Sequence, residues 1–210
     1  IASALRPYEG VISPSTGHIY VHETGSVEMH GHRVFAAPTE DGKLTPEDVR
    51  GVVAAHHNGD DGHMVVPKMV YVSDATELGT IYTRAELEAL SATCRELGLY
   101  LYLDGARMGA ALVSEENDLQ PEDFARLCDA FYIGGTKNGL LFGEILVLVN
   151  KDFHPYFRNA IKQRGGVLAK GRLLGVQFLA FLKDDLWLAL ARHADDAAKE
   201  LARALREKGY

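Results

Sequence analysis

Short apolar runs alternate with amphipathic stretches along the whole chain, and this alternation constrains the fold more than any other feature. Six runs are rich in β-branched and aromatic residues and are bounded by turn residues, which is typical of β-strands. The predicted strands cover residues 10–13, 33–36, 68–73, 99–104, 130–134 and 144–149. Strands that alternate with helices predict an α/β fold, because parallel strands need helical crossovers between them.

The stretches between the strands carry helix start signals. Residues 45–56 begin with Thr-Pro and predict a helix with proline in its first turn. Thr83 and Glu86 have the spacing of a capping box, which predicts the start of a second helix. Residues 121–128 predict a third helix, and the pattern is helical from about residue 171 nearly to the end. We therefore expect a three-layer architecture, in which helices flank a mostly parallel sheet.

Composition suggests how the chain is divided. A shift after about Lys151 predicts an α/β core over residues 1–150 and, over residues 151–210, a helical connection toward a small C-terminal domain. The first residue is not Met, and the last residues form the tail of a helical pattern. We therefore expect both ends to be truncated relative to a longer protein.

Charge and hydropathy exclude several classes of function. A formal net charge of −7 gives no electrostatic footprint for nucleic-acid binding. The chain has no run of about 18 apolar residues, so no membrane span is expected. Cys94 and Cys128 lie in helical patterns and are expected to be buried reduced thiols, which suits a cytoplasmic protein. The histidines show no His-x-x-x-His pair on a predicted helix with a nearby Glu, and we predict no metal site.

Two ionisable residues lie at the carboxyl ends of predicted strands, where ligands bind in open α/β sheets. Asp104 ends the fourth strand, and Lys137 follows the fifth, 33 residues later. That interval has room for one helix and one strand, so both side chains can reach one crevice from neighbouring strands. Taken singly, Asp104 could be a helix N-cap and Lys137 a solvated loop lysine. Together they suit pyridoxal 5′-phosphate, which needs a lysine for a Schiff base and a carboxylate for its ring nitrogen.

Four segments make the chain resemble the threonine aldolase and β-eliminating lyase family of fold-type I pyridoxal phosphate enzymes. They are His-Ile-Tyr-Val-His-Glu-Thr-Gly at 18–25, Asp-Gly-Lys-Leu at 41–44, Asp-Gly-Ala-Arg at 104–107 and Thr-Lys at 136–137. The resemblance runs from about residue 10 to residue 175. It implies that the α/β core is the large domain of such an enzyme, in a homodimer or homotetramer.

The resemblance also implies roles for individual residues. His18 would stack on the pyridine ring, and Asp104 would pair with the ring nitrogen. Lys137 would form the Schiff base, and Thr136 would bind the phosphate. Arg107 would bind the substrate carboxylate, for which its planar guanidinium is suited.

Glu77 stands where threonine aldolases carry a second active-site histidine. We therefore expect Glu77, or a water that it positions, to be the base in aldol cleavage of a threonine-like β-hydroxy-α-amino acid to glycine and an aldehyde. One alternative is β-elimination from another amino acid by the same cofactor. Another is a catalytically inactive domain that serves in assembly. The family's phosphate-binding turn would lie before Ile1, and its second carboxylate-binding arginine beyond Tyr210.

Overall fold

The computed structural model describes residues 1–56, 62–151 and 155–210. These residues form one six-stranded sheet in the order β2-β1-β3-β4-β5-β6. The first five strands are parallel to their neighbours, and β6 runs antiparallel to β5 at one edge. The strands are β1 (Glu9–Pro14), β2 (Val34–Ala37), β3 (Val66–Ser73), β4 (Tyr100–Gly105), β5 (Ala130–Gly134) and β6 (Glu144–Leu148).

All six predicted strands are present, and their ends differ from the prediction by at most two residues. The central strand β3 shows why the pattern was informative. Its residues from Met69 to Ser73 are all buried, because both faces of a parallel sheet are covered. The predicted α/β architecture, a mostly parallel sheet between layers of helices, is confirmed.

Helices flank this sheet within the described residues. They are α1 (His18–Val21), α2 (Pro46–Ala55), α3 (Arg84–Glu96), α4 (Met108–Val113), α5 (Pro121–Leu127), α6 (Phe157–Gln163), α7 (Arg172–Leu182) and α8 (Leu186–Glu207). The predicted start signals hold: Thr45 and Thr83 each cap a helix in a reciprocal capping box, with Asp48 and Glu86 as their partners. Each box satisfies backbone N–H groups that the first turn leaves unpaired.

The structure departs from the sequence prediction mainly in its helices. Two helices, α4 and α5, lie between Asp104 and Lys137, together with β5, where one helix and one strand were expected. The helical pattern after residue 171 is broken at Lys183–Asp185, where Asp184 and Asp185 have positive φ. The short helices α1, α4 and α6 were not predicted, because four to seven residues are too few to show a helical period.

The sheet separates two clusters of buried side chains. Val70, Val72, Leu101 and Leu103 face the larger cluster, which α3 and α5 complete. The opposite face carries Met69, Tyr71 and Val11 with Ile19 of α1. Cys94 and Cys128 are buried free thiols, as expected, although Cys128 lies just after α5 rather than inside it.

The C-terminal helices share the core of the sheet. Phe178 and Phe181 of α7 and Trp187 of α8 belong to the larger buried cluster. Residues on both sides of position 150 thus contribute to one buried cluster. The predicted division into a core and a helical connection at that position stays a prediction. Within the described ranges, no helix is both long and apolar enough to cross a bilayer.

Candidate functional site

The carboxyl ends of three parallel strands bring the predicted residues to one edge of the sheet. Ser73 of β3 lies opposite Asp104 of β4, which in turn lies opposite Tyr132 of β5. The turn Thr136–Asn138, which contains Lys137, follows β5 directly. Asp104, within the end of β4, and Lys137, in the turn after β5, thus lie at the ends of neighbouring strands, as the sequence predicted.

A cavity of about 460 Å³ lies beside these strand ends. Tyr71, Tyr102 and Tyr132 contribute phenol rings to its wall, together with Asp104 and His18. The rings of Tyr71 and Tyr102 are nearly parallel, with an interplanar angle of 12° and centroids 6.1 Å apart. The cavity therefore has aromatic walls and a carboxylate among its polar groups.

Asp104 is buried and held by two donors from different segments. Its Oδ1 accepts a hydrogen bond of 3.0 Å from the backbone N–H of Ala106, and its Oδ2 accepts one from the Tyr71 hydroxyl. Burial and the negative charge of Asp104 raise the pKa of Tyr71 above its usual value. The Tyr71 hydroxyl therefore keeps its proton and acts as the donor. The same two causes raise the pKa of Tyr132.

Glu77 connects the end of β3 to the start of α1. Its Oε1 accepts hydrogen bonds from the Ser73 hydroxyl at 2.7 Å and from the backbone N–H of His18 at 3.2 Å. Its Oε2 is buried and has no hydrogen-bond partner among the described residues. Because Ser73 Oγ also lies 3.3 Å from the Tyr71 hydroxyl, a chain of polar contacts runs from Asp104 to Glu77.

His18 begins α1 and is half-buried in the cavity wall. Its Nδ1 lies 2.6 Å from Glu23 Oε1, so that a proton on Nδ1 forms a hydrogen bond. The ring of His22 lies 5.0 Å from the ring of His18. The structure therefore brings together His18, Glu77 and Asp104, three of the predicted site residues.

Two predicted cations lie nearby without a carboxylate partner. Lys137 is exposed, does not line the cavity, and makes no hydrogen bond or ion pair with the part of the chain that the structure describes. Arg107 is half-buried at the N-cap of α4 and likewise has no ion pair there. Both cations are thus available to anionic groups.

The hydroxyl of Thr136 is already engaged. It donates to Glu144 Oε1 at 3.2 Å, while the backbone N–H of Gly135 donates to Glu144 Oε2 at 2.7 Å. Glu144 therefore caps the turn that carries Lys137. A phosphate could take the Thr136 hydroxyl only by replacing this contact.

Sequence reasoning missed Tyr71, Ser73, Asn138 and Glu144. Tyr71 and Ser73 are two positions apart at the end of the apolar strand β3, so their side chains lie on the same face of the sheet. This spacing could have identified them as candidates from the sequence. Asn138 adjoins Lys137 and is buried, which nothing in its sequence position indicates.

The residues present fit pyridoxal phosphate. A flat ring suits the aromatic walls, Asp104 offers a buried acceptor for a ring N–H, and Lys137 offers an unpaired amine beyond the next strand. Among the described residues, no group of three or more His, Cys, Asp or Glu is placed to hold a metal ion. His57 lies outside those residues.

The chain is similar in sequence to known proteins. The model of the family described as β-eliminating lyase matches residues 1–210. A low specificity L-threonine aldolase of Pseudomonas aeruginosa is 36% identical over 209 residues, which are 99% of this chain and 60% of that protein. One of Saccharomyces cerevisiae is 26% identical over 98% of this chain and 52% of its own length. The chain thus spans about half to three fifths of these relatives.

The chain is also similar to solved structures. A threonine aldolase of Leishmania major superimposes with a TM-score of 0.94 at 50% identity, over 99% of this chain and 60% of its own. An aspartate aminotransferase of Thermus thermophilus has a TM-score of 0.73 at 18% identity, over 98% of this chain and 52% of its own, and shares the fold alone.

Proposed function

The chain belongs to the β-eliminating lyase family, and on that premise we propose that its protein cleaves a threonine-like β-hydroxy-α-amino acid to glycine and an aldehyde, with pyridoxal phosphate as cofactor. The names of the similar proteins from Pseudomonas aeruginosa and Leishmania major support this activity. The observation that carries the proposal is that Asp104 and the Lys137 turn lie at the carboxyl ends of two neighbouring parallel strands. Since the chain spans 60% of the Pseudomonas relative, the activity is proposed for the whole protein.

Four side chains would hold the cofactor. Lys137 would attach it covalently through its ε-amine, and Asp104 would accept a hydrogen bond from the ring N–H. His18 would pack against the ring from the cavity wall, and Thr136 would bind the phosphate once released from Glu144. When bound, pyridoxal phosphate accepts the electron pair of the bond that breaks at the substrate α-carbon.

Arg107 would fix the substrate by its carboxylate. Its guanidinium has no ion pair within the described residues, and a planar guanidinium binds a carboxylate through two parallel hydrogen bonds. Arg107 also lies three residues after Asp104, so the backbone of β4 sets the substrate site relative to the ring nitrogen. Such fixed geometry is a large part of catalytic rate enhancement.

Glu77 would take the proton from the substrate β-hydroxyl. Ser73 and the backbone of His18 hold one of its oxygens, which fixes the direction of the other. The free oxygen, Oε2, is buried and has no partner among the described residues, so a substrate hydroxyl could supply its missing hydrogen bond. A positioned carboxylate of this kind suits general base catalysis.

Residues 1–150 would be the core of the large domain, and residues 151–210 the helical connection to a small domain. A homodimer or homotetramer is supported by the exposed apolar side chains of α7, namely Leu173, Val176 and Leu179, which are 60–74% exposed. A cytoplasmic location is supported by the free thiols of Cys94 and Cys128, since disulfides are rare in reducing compartments.

Product analysis of the full-length protein tests the proposal. The protein is supplied with pyridoxal phosphate and with threonine, allo-threonine, phenylserine or serine. Glycine and the matching aldehyde are the expected products. Pyruvate or another keto acid with ammonia would instead show a β-eliminating lyase. Cofactor binding without any product from these substrates would favour the assembly role.

A further inference from the structure

A single buried amide joins the two strand ends that flank the proposed cofactor site. The side chain of Asn138 is 7% exposed. Its Nδ2 donates a hydrogen bond of 2.7 Å to the carbonyl of Gly134, the last residue of β5. The same Nδ2 donates one of 3.2 Å to the carbonyl of Ala106, just after β4. Asn138 therefore bridges two segments that are 28 residues apart in the chain.

Glycines make this bridge possible by letting the two strand ends approach closely. A Cβ atom on Gly134 would lie 2.4 Å from the Ala106 carbonyl oxygen, and one on Gly105 would lie 2.0 Å from the Tyr132 carbonyl oxygen. Both distances are far shorter than ordinary contacts between nonbonded atoms. Only glycine therefore allows two carbonyl groups of adjacent strands to come within reach of one amide.

The bridging amide is also enclosed from the helix side. A Cβ atom on Gly109 of α4 would lie 2.8 Å from Asn138 Oδ1 and 2.6 Å from Trp187 Nε1 of α8. The side chain of Asn138 is thus confined between the sheet edge and α4. A side chain with so little room has one orientation, so its two hydrogen bonds fix the turn that carries it.

We propose that Asn138 is a positioning residue that sets Lys137 relative to Asp104 and Arg107. Lys137 immediately precedes Asn138, and Arg107 immediately follows the bridged Ala106. The bridge therefore joins the backbone of the cofactor lysine to that of the substrate-binding arginine. This inference rests on the proposed function, because it concerns what the Lys137 turn is held for.

Three variants of the full-length protein separate positioning from stability. Asn138→Asp keeps the shape but replaces the donating Nδ2 with a carboxylate oxygen, which faces the two carbonyl oxygens of Ala106 and Gly134. Asn138→Ala removes the donors without that repulsion. Asn117→Ala is the matched control, because Asn117 Nδ2 also donates to two carbonyls, those of Leu112 and Leu119, away from the cavity lining.

The readout is covalent attachment rather than turnover. Each protein is incubated with pyridoxal phosphate, reduced with borohydride at fixed times, and mapped by mass spectrometry. The dissociation constant of the cofactor is measured by equilibrium dialysis, and thermal unfolding is recorded alongside. We expect Asn138→Asp to slow labelling of Lys137 and weaken cofactor retention by about tenfold or more, with a smaller effect for Asn138→Ala. Asn117→Ala should lower the unfolding temperature without changing either readout.

Two results would overturn the inference. One is wild-type labelling at Lys137 with Asn138→Asp within about twofold of it, since misplacement of a reacting group costs more than that. The other is an equal loss of labelling in Asn117→Ala, which would show that only stability is being reported. A wild-type protein with Lys137 unlabelled would contradict the proposed function itself, and this inference with it.

Discussion

The hydroxyl of Tyr71 donates a hydrogen bond to the carboxylate of Asp104 across the neighbouring strands β3 and β4. The two residues are 33 positions apart in the chain, and only the parallel pairing of their strands brings them together. Asp104 is thereby held at the cavity edge by a side chain that is itself buried. We infer that Tyr71 keeps this carboxylate in place for a ring N–H.

Replacing Tyr71 by Phe tests this relationship. The change removes one hydrogen bond to a charged group, which is worth about 1.5–3 kcal/mol. We expect the unfolding free energy to fall by that order and the protonation of the cofactor ring nitrogen to decrease. Nitrogen-15 NMR of ring-labelled pyridoxal phosphate in the full-length protein measures the protonation directly.

Tyr82→Phe is the matched control for this change. Tyr82 is also fully buried, but its hydroxyl accepts a hydrogen bond of 2.7 Å from the backbone N–H of Leu44, away from the cavity lining. The Tyr82→Phe protein should be less stable than the wild type, with no change in the nitrogen-15 shift of the cofactor ring. An unchanged nitrogen-15 shift in Tyr71→Phe would mean that Asp104 does not need Tyr71 to keep the ring nitrogen protonated.

Glu77→Gln tests the proposed base, because it keeps the shape of the side chain and removes its basicity. We expect cleavage of threonine to slow by about 10²–10⁴-fold, the usual contribution of general acid–base catalysis. Exchange of the α-proton of glycine with solvent, followed by NMR, should persist, since glycine has no β-hydroxyl. Glu88→Gln, which changes an exposed ion pair with Arg126, should leave both rates near those of the wild type. Unchanged cleavage in Glu77→Gln would leave Glu77 a structural residue.

Asp74 should make stability depend on pH. Burial raises its pKa from 3.8 to about 7, although the Tyr82 N–H and the charge of Lys43 oppose the rise. The folded state therefore binds this proton more tightly than the unfolded state. The resulting stabilisation is complete below pH 3.8 and is lost as the pH rises to about 7.

Asp74→Asn stays neutral and should escape this loss. Its unfolding free energy should rise relative to that of the wild type by a few kcal/mol between about pH 4 and 7, at about 1.4 kcal/mol per pKa unit. Above that window the difference should be constant. Urea denaturation of both proteins across this pH range measures the difference in unfolding free energy. If the two free energies changed with pH in the same way, the raised pKa of Asp74 would be refuted.

Alanine substitution should have opposite effects on stability at two glycines, one where the strand ends approach closely and one in an exposed helix. Gly134→Ala should destabilise the protein by several kcal/mol, because the new methyl group would lie 2.4 Å from the Ala106 carbonyl oxygen. Gly51→Ala in the exposed part of α2, where a Cβ atom meets nothing within 4 Å, should stabilise by about 0.5–1 kcal/mol. Chemical denaturation measures both. Equal tolerance at the two sites would contradict the packing described between β4 and β5.

Local patterns predicted the elements of this fold better than they predicted its contacts. The strands and the capping boxes at Thr45 and Thr83 depend on residues within a few positions of each other, so the sequence reveals them. The break before α8 was missed because Asp184 and Asp185 adopt positive φ, which neither a Gly nor a Pro announces.

The same difference between local patterns and long-range contacts applies to the residues of the site. Asp104 and Lys137 could be predicted because each lies near the carboxyl end of a recognisable strand, Asp104 within β4 and Lys137 in the turn after β5. Asn138 could not, because its hydrogen bond to the carbonyl of Ala106 spans 32 residues of the chain. The period of two in β3 places Tyr71 on the same face as Ser73, but its contact with Asp104 needed the structure. Glu77 was found through resemblance alone, and its contacts with Ser73 and His18 needed the structure.

The attachment site of the cofactor is the most direct test of the central claim that Lys137 serves pyridoxal phosphate. The full-length protein is loaded with the cofactor, reduced with borohydride and digested, and the labelled peptide is identified by mass spectrometry. The label is expected on Lys137, with none in Lys137→Arg, which keeps the charge but cannot form the bond. A label on any other lysine, with Lys137 unmodified, would contradict the account.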